Sequence, residues 1–183
     1  MRTRNLILML IKASEGVIEG KTLLQKEMYF LSLLLKRDLG FQAHYYGPYS
    51  NEVEDGLDEL IGAGFVDVSE IVWGINQAGF EAKKYSFKIS DLGKKLVGSW
   101  EESDEYSKIK NLVERLRKIE GLDYIKLSLA AKSYFVLNKE NKPMSIQEIK
   151  NKSKNFGWDL KEDDIDKAVE VLERLEFVEM KKQ

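Results

Sequence analysis

The side chains that most often carry covalent or metal chemistry are almost absent from this sequence. Its 183 residues contain no cysteine and one histidine, His44. This composition excludes disulfides, thiol nucleophiles, cysteine-ligated zinc and paired-histidine metal sites. His44 stands in the segment AHYYG without a serine, cysteine or acid at a spacing that indicates a catalytic partner, so we expect a hydrogen-bonded structural role. No phosphate-binding loop is present, and the sequence therefore predicts a non-enzyme without cofactor or metal.

Carboxylates are concentrated in residues 49–70, which contain seven acids and no lysine, arginine or histidine. Asp55, Asp58 and Glu59 are spaced to share a helix face that could ligate a hard cation, but no calcium-loop pattern accompanies them. We favour the interpretation that this acidic helix face binds a basic protein partner, and that a glycine in the helix lets the backbone of the partner come close. The predicted contact residues of this face are Glu52, Asp55, Gly56 and Glu59. The alternative is that the acids only make the surface soluble, and that Gly56 lets this helix cross the apolar helix at 23–35 closely.

Two short motifs carry polar groups that are expected to meet. Gln25, Lys26 and Tyr29 open a predicted helix, and residues 46–50 form a glycine-proline turn. A buried Gln25 or Lys26 can donate to carbonyl groups left free around that turn, which is the interpretation we favour. The alternative is a shared pocket for a peptide or small ligand. The candidate residues are Gln25, Lys26, Tyr29, His44, Tyr46, Gly47, Pro48, Tyr49 and Ser50.

A helix after the turn positions the acids. Ser50 and Asn51 mark its start, with Glu54 as the capping-box partner of Asn51, and Gly64 marks its end. Between these ends, apolar residues recur at helical spacing. The sequence therefore predicts an amphipathic helix with one buried stripe.

A hairpin is expected after this helix. Residues 65–68 favour a strand, and residues 85–90 alternate apolar and polar side chains. The connection over residues 73–83 is predicted to be an extended loop, in which Trp73 and Phe80 are candidate protein contacts. With Ser90 starting another helix, this order predicts a mainly helical α+β fold of the winged helix-turn-helix type.

The rest of the chain is predicted to be helical. Helices are expected over residues 5–13 and 21–37, with Val17 and Ile18 in a short connector. We divide the chain into a winged-helix domain (1–99), a connecting helix (100–122) and a second helical unit (123–183).

An internal repeat supports the second unit. A shift of 112 residues superimposes Leu60 on Leu172 and Phe65 on Phe177, so both segments predict a helix leading into a strand. The second unit would then be a helix-turn-helix with a truncated wing. In this unit a helix over residues 124–137 is followed by a loop at 138–144, and a capping box formed by Ser145 and Glu148 then begins the first of the last two helices.

A lysine-rich segment indicates a second possible function, which is binding to DNA. Residues 83–95 contain five lysines and one acid, in a chain of net charge −2. The wing residues Lys83, Lys84 and Lys88 are therefore candidate contacts to a DNA backbone, although a solvated surface is the favoured interpretation. The acidic helix itself would be repelled by phosphate, so we disfavour it as a nucleic-acid reader.

The segments GKTLLQKEMYFLSLLL and FQAHYYGPYSNEVEDGLDELIGAGFV resemble the YwgA-type family of small winged-helix proteins. They are more distantly similar to the Panacea domain of antitoxin-like proteins. The shared features are Leu24-Gln25-Lys26 with Tyr29, and the Y-G-P-Y-S turn at 46–50, within a resemblance that covers residues 20–97. It implies a winged helix that acts by protein contacts and not by catalysis, although the wing loop here is longer than expected.

Together these observations predict a cytoplasmic regulator or adaptor that binds protein through the acidic helix, residues 51–63, and the aromatic wing loop. The alternative is a DNA-binding transcription regulator that uses its lysine-bearing wing. The longest apolar blocks are too short to cross a bilayer, so no membrane contact is expected. Formation of a homodimer is left open.

Overall fold

A computed structural model describes residues 1–75 and 81–179 of the chain, excluding the side chains of 71–75 and 81–83. The described part is mainly helical with a small antiparallel sheet, which confirms the predicted α+β class. In chain order the elements are α1 (Thr3–Ala13), β1 (Val17–Glu19), α2 (Lys21–Leu34), α3 (Asn51–Gly62), β2 (Val66–Ile75), β3 (Glu81–Ile89), α4 (Asp91–Gly98), α5 (Asp104–Arg117), α6 (Tyr124–Glu140), α7 (Ile146–Ser153), a 3-10 turn (Lys154–Phe156) and α8 (Glu162–Arg174).

The sheet has the strand order β1-β3-β2, with both pairs antiparallel. Val17 and Ile18, expected to be a connector, instead begin β1, and Ile18 pairs with Phe87. The prediction was wrong because a three-residue strand is specified by its tertiary partner and has no readable period of its own. The hairpin strands are also longer than expected, so Trp73 belongs to β2 and Lys83 to β3, while Phe80 lies outside the described residues.

Two helices form the centre of the core. All six residues from Leu6 to Ile11 are buried, so α1 is enclosed on every side. Residues 24–32 of α2 are buried as well, and the buried set includes polar Gln25, Lys26 and Glu27 beside the apolar residues. α2 ends at Leu34, three residues before the expected end. Two residues later, Lys36 takes a left-handed conformation with a φ of 52°.

The ends of α3 follow partly from local chemistry. Ser50 is the N-cap, and its Oγ accepts a hydrogen bond from the Val53 N–H at 3.2 Å. The predicted capping box with Glu54 is wrong, because Tyr49 and a lysine of α2 engage the Glu54 carboxylate. At the other end Gly64 is left-handed as expected, and the Phe65 N–H donates to the Leu60 carbonyl at 2.9 Å.

The same C-terminal geometry recurs 112 residues later. The Phe177 N–H donates to the Leu172 carbonyl at 2.9 Å, after left-handed Glu176. The helical half of the repeat is therefore confirmed. Its strand half is wrong, since residues 177–179 are not a strand and the Phe177 ring instead packs on Phe30 and Tyr134, with centroids 5.2 and 5.3 Å apart.

Side-chain caps begin the helices of the second half. Asp123 caps α6, and Ser145 with Glu148 forms the predicted capping box of α7. The predicted loop at 138–144 begins too early, because residues 138–140 still belong to α6. The helix ends only at Asn141, which takes a left-handed conformation. One apolar core joins both halves of the chain, and the division into 1–99, 100–122 and 123–183 stays a prediction.

Candidate functional site

The two predicted motifs meet through buried hydrogen bonds. The Gln25 side chain accepts from the Ser50 N–H at 2.9 Å and donates to the Ser50 carbonyl at 3.0 Å. Next to it, Lys26 Nζ donates to the Pro48 carbonyl at 2.8 Å. Both side chains are almost inaccessible, with 3% of Gln25 and 1% of Lys26 exposed. The expectation that this pair satisfies the turn is confirmed.

Lys26 is an unusual member of this core. Burial first, and then the positive charge of Lys132, lowers its pKa to about 8. The turn lies so close that a Cβ on Gly47 would be 3.1 Å from Lys26 Cε. Gly47 also has a φ of +106°, a conformation that L side chains rarely adopt. The glycine is thus required both by the turn and by the lysine beneath it.

The remaining motif residues divide between core and surface. Tyr29 is buried with its ring 5.2 Å from that of Phe41, and burial raises its pKa. His44 is exposed and its ring lies 5.1 Å from that of Tyr49. Tyr46 is 57% exposed. Buried and solvent-facing residues are therefore mixed in the set, and none of them lines either cleft described below.

Trp158 holds the turn loop from the other half of the chain. Its Nε1 donates to the His44 carbonyl at 2.7 Å, and Lys132 Nζ lies 5.7 Å from the centre of its ring. The sequence interpretation missed this contact. A tryptophan next to Gly157 was the available signal, but nothing local indicates which loop it reaches.

A polar chain connects the turn to α3. The Tyr49 hydroxyl donates to Glu54, and Lys21 Nζ lies 2.9 Å from the same carboxylate. These two contacts lower the pKa of Glu54, the hydroxyl first. Burial first, and then the bond to Glu54, raises the pKa of Tyr49. Glu54 is therefore held as a carboxylate and is not part of the outward acidic surface.

The outward surface of α3 is acidic. Its exposed carboxylates are Glu52, Asp55, Asp58 and Glu59, which we call the acidic face. Its border toward α1 is partly neutralised, because Arg4 pairs with Glu59 at 2.8 Å and the Thr3 hydroxyl donates to Glu52. Within the described residues, Asp55 and Asp58 make no side-chain hydrogen bond or ion pair. These two acids are the free centre of the face.

Gly56 lies on the buried side of α3 and not on the acidic face. A Cβ there would be 3.1 Å from Ile7 Cδ1 and 3.3 Å from the Arg4 backbone nitrogen. Gly56 therefore allows α3 to cross α1 closely, and the expectation that it crosses the helix at 23–35 is wrong. A cleft of about 620 Å³ lies at the border, lined by both signs of charge, including Arg2, Arg37, Glu52 and Asp55.

The predicted wing contacts are only partly visible. Trp73 and Lys83 are described by their backbone alone, and Phe80 lies outside the described residues. Lys84 pairs with Glu19 of β1. Lys88 is exposed and lies opposite Asp67 in the strand register. Each visible wing lysine thus has an acid beside it.

Two further observations concern other kinds of site. In the ranges 1–75 and 81–179 no three acids, or acids with the histidine, are grouped to hold a metal ion. None of the helices in the same ranges has the length and hydropathy needed to cross a bilayer.

Comparison with protein-family models and with curated proteins finds no match to this chain.

Proposed function

We propose that this protein is a non-enzymatic regulator or adaptor built on a winged helix, and that its acidic face binds a basic surface of a protein partner. The element order α1-β1-α2-α3-β2-β3 supports the winged helix, as does the strand order β1-β3-β2 with its hairpin directly after α3. In that architecture α3 occupies the place of the helix that usually enters the major groove.

The acidic face is the observation that carries the proposal. Phosphate contacts supply most nucleic-acid affinity, and four outward carboxylates at the groove-reading position oppose them. The same charges favour encounter with a basic protein surface. Asp55 and Asp58 contribute most, because no ion pair within the described residues neutralises them.

Exposed aromatic side chains near the start of α3 support the same proposal. Tyr45 is 76% exposed, and its ring contacts that of Tyr46 edge-on at 4.9 Å. Tyrosine is enriched at protein interfaces because it offers apolar area together with a polar tip. The loop that carries both rings is anchored by Lys26 and Trp158, so it presents them in a fixed place.

Charge-neutral variants test the proposal. Asp55→Asn with Asp58→Asn removes the free centre of the acidic face. Asp166→Asn with Glu170→Gln makes the same change in charge on exposed positions of α8. Tagged full-length protein is used to capture partners from the source organism, and bound proteins are compared quantitatively.

A partner retained by wild type and by the α8 variant, but lost from the α3 variant, is the expected result. A partner retained equally by all three forms contradicts the acidic-face assignment. Circular dichroism of each form confirms that the variants are folded.

DNA binding through the wing is the second candidate, and exposed Lys88 is the observation that favours it. Fluorescence anisotropy with random duplex DNA over a salt series distinguishes DNA binding from the proposed protein binding. Affinity that falls steeply with salt, and that is reduced by Lys88→Glu, would support DNA binding and contradict the protein-binding proposal.

A further inference from the structure

A second cleft lies away from α3, among β1, α2, the end of α5 and the start of α6. Its volume is about 420 Å³, which is within the usual range for small-molecule sites. Most of the wall is aliphatic, from residues including Leu23, Val113, Leu116 and Leu127. Val17 and Tyr124 lie at its edge and are exposed. The cleft is therefore an open apolar cavity.

Two polar atoms in this wall lack partners. Glu27 is 9% exposed, and its Oε2 has no hydrogen bond from any described residue. The same holds for Ser14 Oγ, which is also buried and lines the cleft. A buried carboxyl oxygen without a donor is costly, so these atoms can gain from a polar group that enters the cleft.

The other charged groups that line the cleft are already engaged. Glu19 pairs with Lys84, and Arg117 Nη1 lies 2.5 Å from Glu15. Asp123 accepts from the backbone N–H of the residue that follows it by three, at 2.8 Å. Glu27 is thus the acid that remains to receive a donor.

The charges near Glu27 decide whether a positively or a negatively charged ligand is favoured in the cleft. Burial raises the pKa of Glu27 to about 7 against the opposing effect of the positive charge of Arg117. The Lys126 ammonium lies near Gly121 at the edge of the cleft. Among the described charged groups of the lining, Glu27 is the acid with an unpartnered buried oxygen, while Arg117 is paired with Glu15, so a cation is favoured over an anion.

We propose that this cleft binds a small organic cation, with its apolar body against the aliphatic wall and its ammonium donating to the Glu27 carboxylate. A neutral analogue of the same length would occupy the wall but leave the carboxyl oxygen unpaired. An anion of the same length would be repelled. Discrimination among the three charge types is therefore the property to measure.

The test uses full-length protein with three six-carbon probes: n-hexylammonium, n-hexanol and n-hexanoate. Binding is followed at pH 8 by isothermal titration calorimetry and by methyl chemical shifts of Val17, Leu122 and Leu127. Hexylammonium is expected to bind at least about tenfold more tightly than hexanol, as a charge-assisted hydrogen bond allows, and hexanoate to bind least. The largest methyl shifts are expected within the cleft.

Glu27→Gln keeps the shape of the side chain and removes its charge, so the preference for hexylammonium is expected to disappear. Glu19→Gln is the matched control, because it makes the same change at the edge of the cleft in an acid already paired; it should keep the preference. Equal affinities of wild type for hexylammonium and hexanol, or tighter binding of hexanoate, would overturn the proposal. Absence of methyl shifts with all three probes would do so too.

Two structural alternatives are covered by this design. If Arg117 turns inward and pairs with Glu27, hexylammonium gains nothing over hexanol, and the proposal fails. If Glu27→Gln does not fold, the comparison of the three probes on wild type still decides. No residue of α3 lines the cleft, so this result and the test of the acidic face can fail separately.

Discussion

Replacing Lys26 by methionine tests how a buried ammonium is held beneath the turn. The substitution keeps an unbranched side chain but removes the charge and the hydrogen bond to the Pro48 carbonyl. The loss of that bond lowers stability at every pH. The loss of the charge matters only where the ammonium is protonated, so it is visible as a change in the pH dependence of stability.

The magnitude follows from the two pKa values of this lysine. Its ordinary pKa is 10.5, and burial lowers the pKa in the folded chain to about 8. Between these values the unfolded chain binds more protons than the folded one, so the free energy of unfolding rises with pH. The gain between pH 7 and pH 9.5 is about 2 kcal/mol for a shift of this size.

Urea unfolding at pH 7 and pH 9.5 measures this gain. The difference in the free energy of unfolding, wild type minus Lys26→Met, is expected to increase by about 2 kcal/mol between the two pH values. Ionisation of tyrosines changes both proteins alike and cancels in the difference. Lys167→Met, at an exposed position of α8, is the control and should show no such increase. A difference for Lys26→Met that is the same at both pH values would refute the burial of a charge at this position.

Two further substitutions test the packing around the site, both by urea unfolding. Gln25→Leu leaves the buried Ser50 N–H without an acceptor and should cost about 2–4 kcal/mol; a cost below about 1 kcal/mol would mean that the turn is not held by this side chain. Gly93→Ala places a Cβ 2.3 Å from the Phe65 carbonyl and should cost about 1–3 kcal/mol, while Gly98→Ala, with nothing within 4 Å, should be neutral or slightly stabilising. Equal stability of the two alanine variants would contradict the close packing of α4 on the turn between α3 and β2.

Features set by local chemistry were predictable from the sequence. Ser50, Asp123 and Ser145 each precede an apolar helical pattern, and each accepts from a backbone N–H three residues later. Gly64 is left-handed because the helix must end there and the chain must enter β2. The buried pairing of the two motifs was also predictable, since a turn leaves carbonyl groups that need donors.

Features set by distant partners were not predictable. β1 exists because Ile18 finds Phe87, about seventy residues later, and three residues alone give no strand signal. The repeat at 112 residues predicted a strand after α8, but Phe177 packs against α2 and α6 instead. The burial of Glu27 could not be predicted, because the residues next to it in the sequence are equally typical of an exposed helix surface.

The site shows the same division. The acids of α3 were visible as a run, but their pairing with the start of α1 was not, so Glu59 and Glu52 appeared as free as Asp55. Trp158 reaches the His44 carbonyl across 114 positions of sequence. Such contacts depend on how the two halves of the chain pack, which periodicity and capping signals do not determine.

The acidic face can be tested most directly by placing a photo-crosslinking amino acid at position 55 and irradiating cells of the source organism. We predict an adduct with a protein, formed at position 55 and absent when the same group is placed at position 166 of α8. An adduct with nucleic acid at position 55, or the same protein adduct at both positions, would contradict the proposed role of α3.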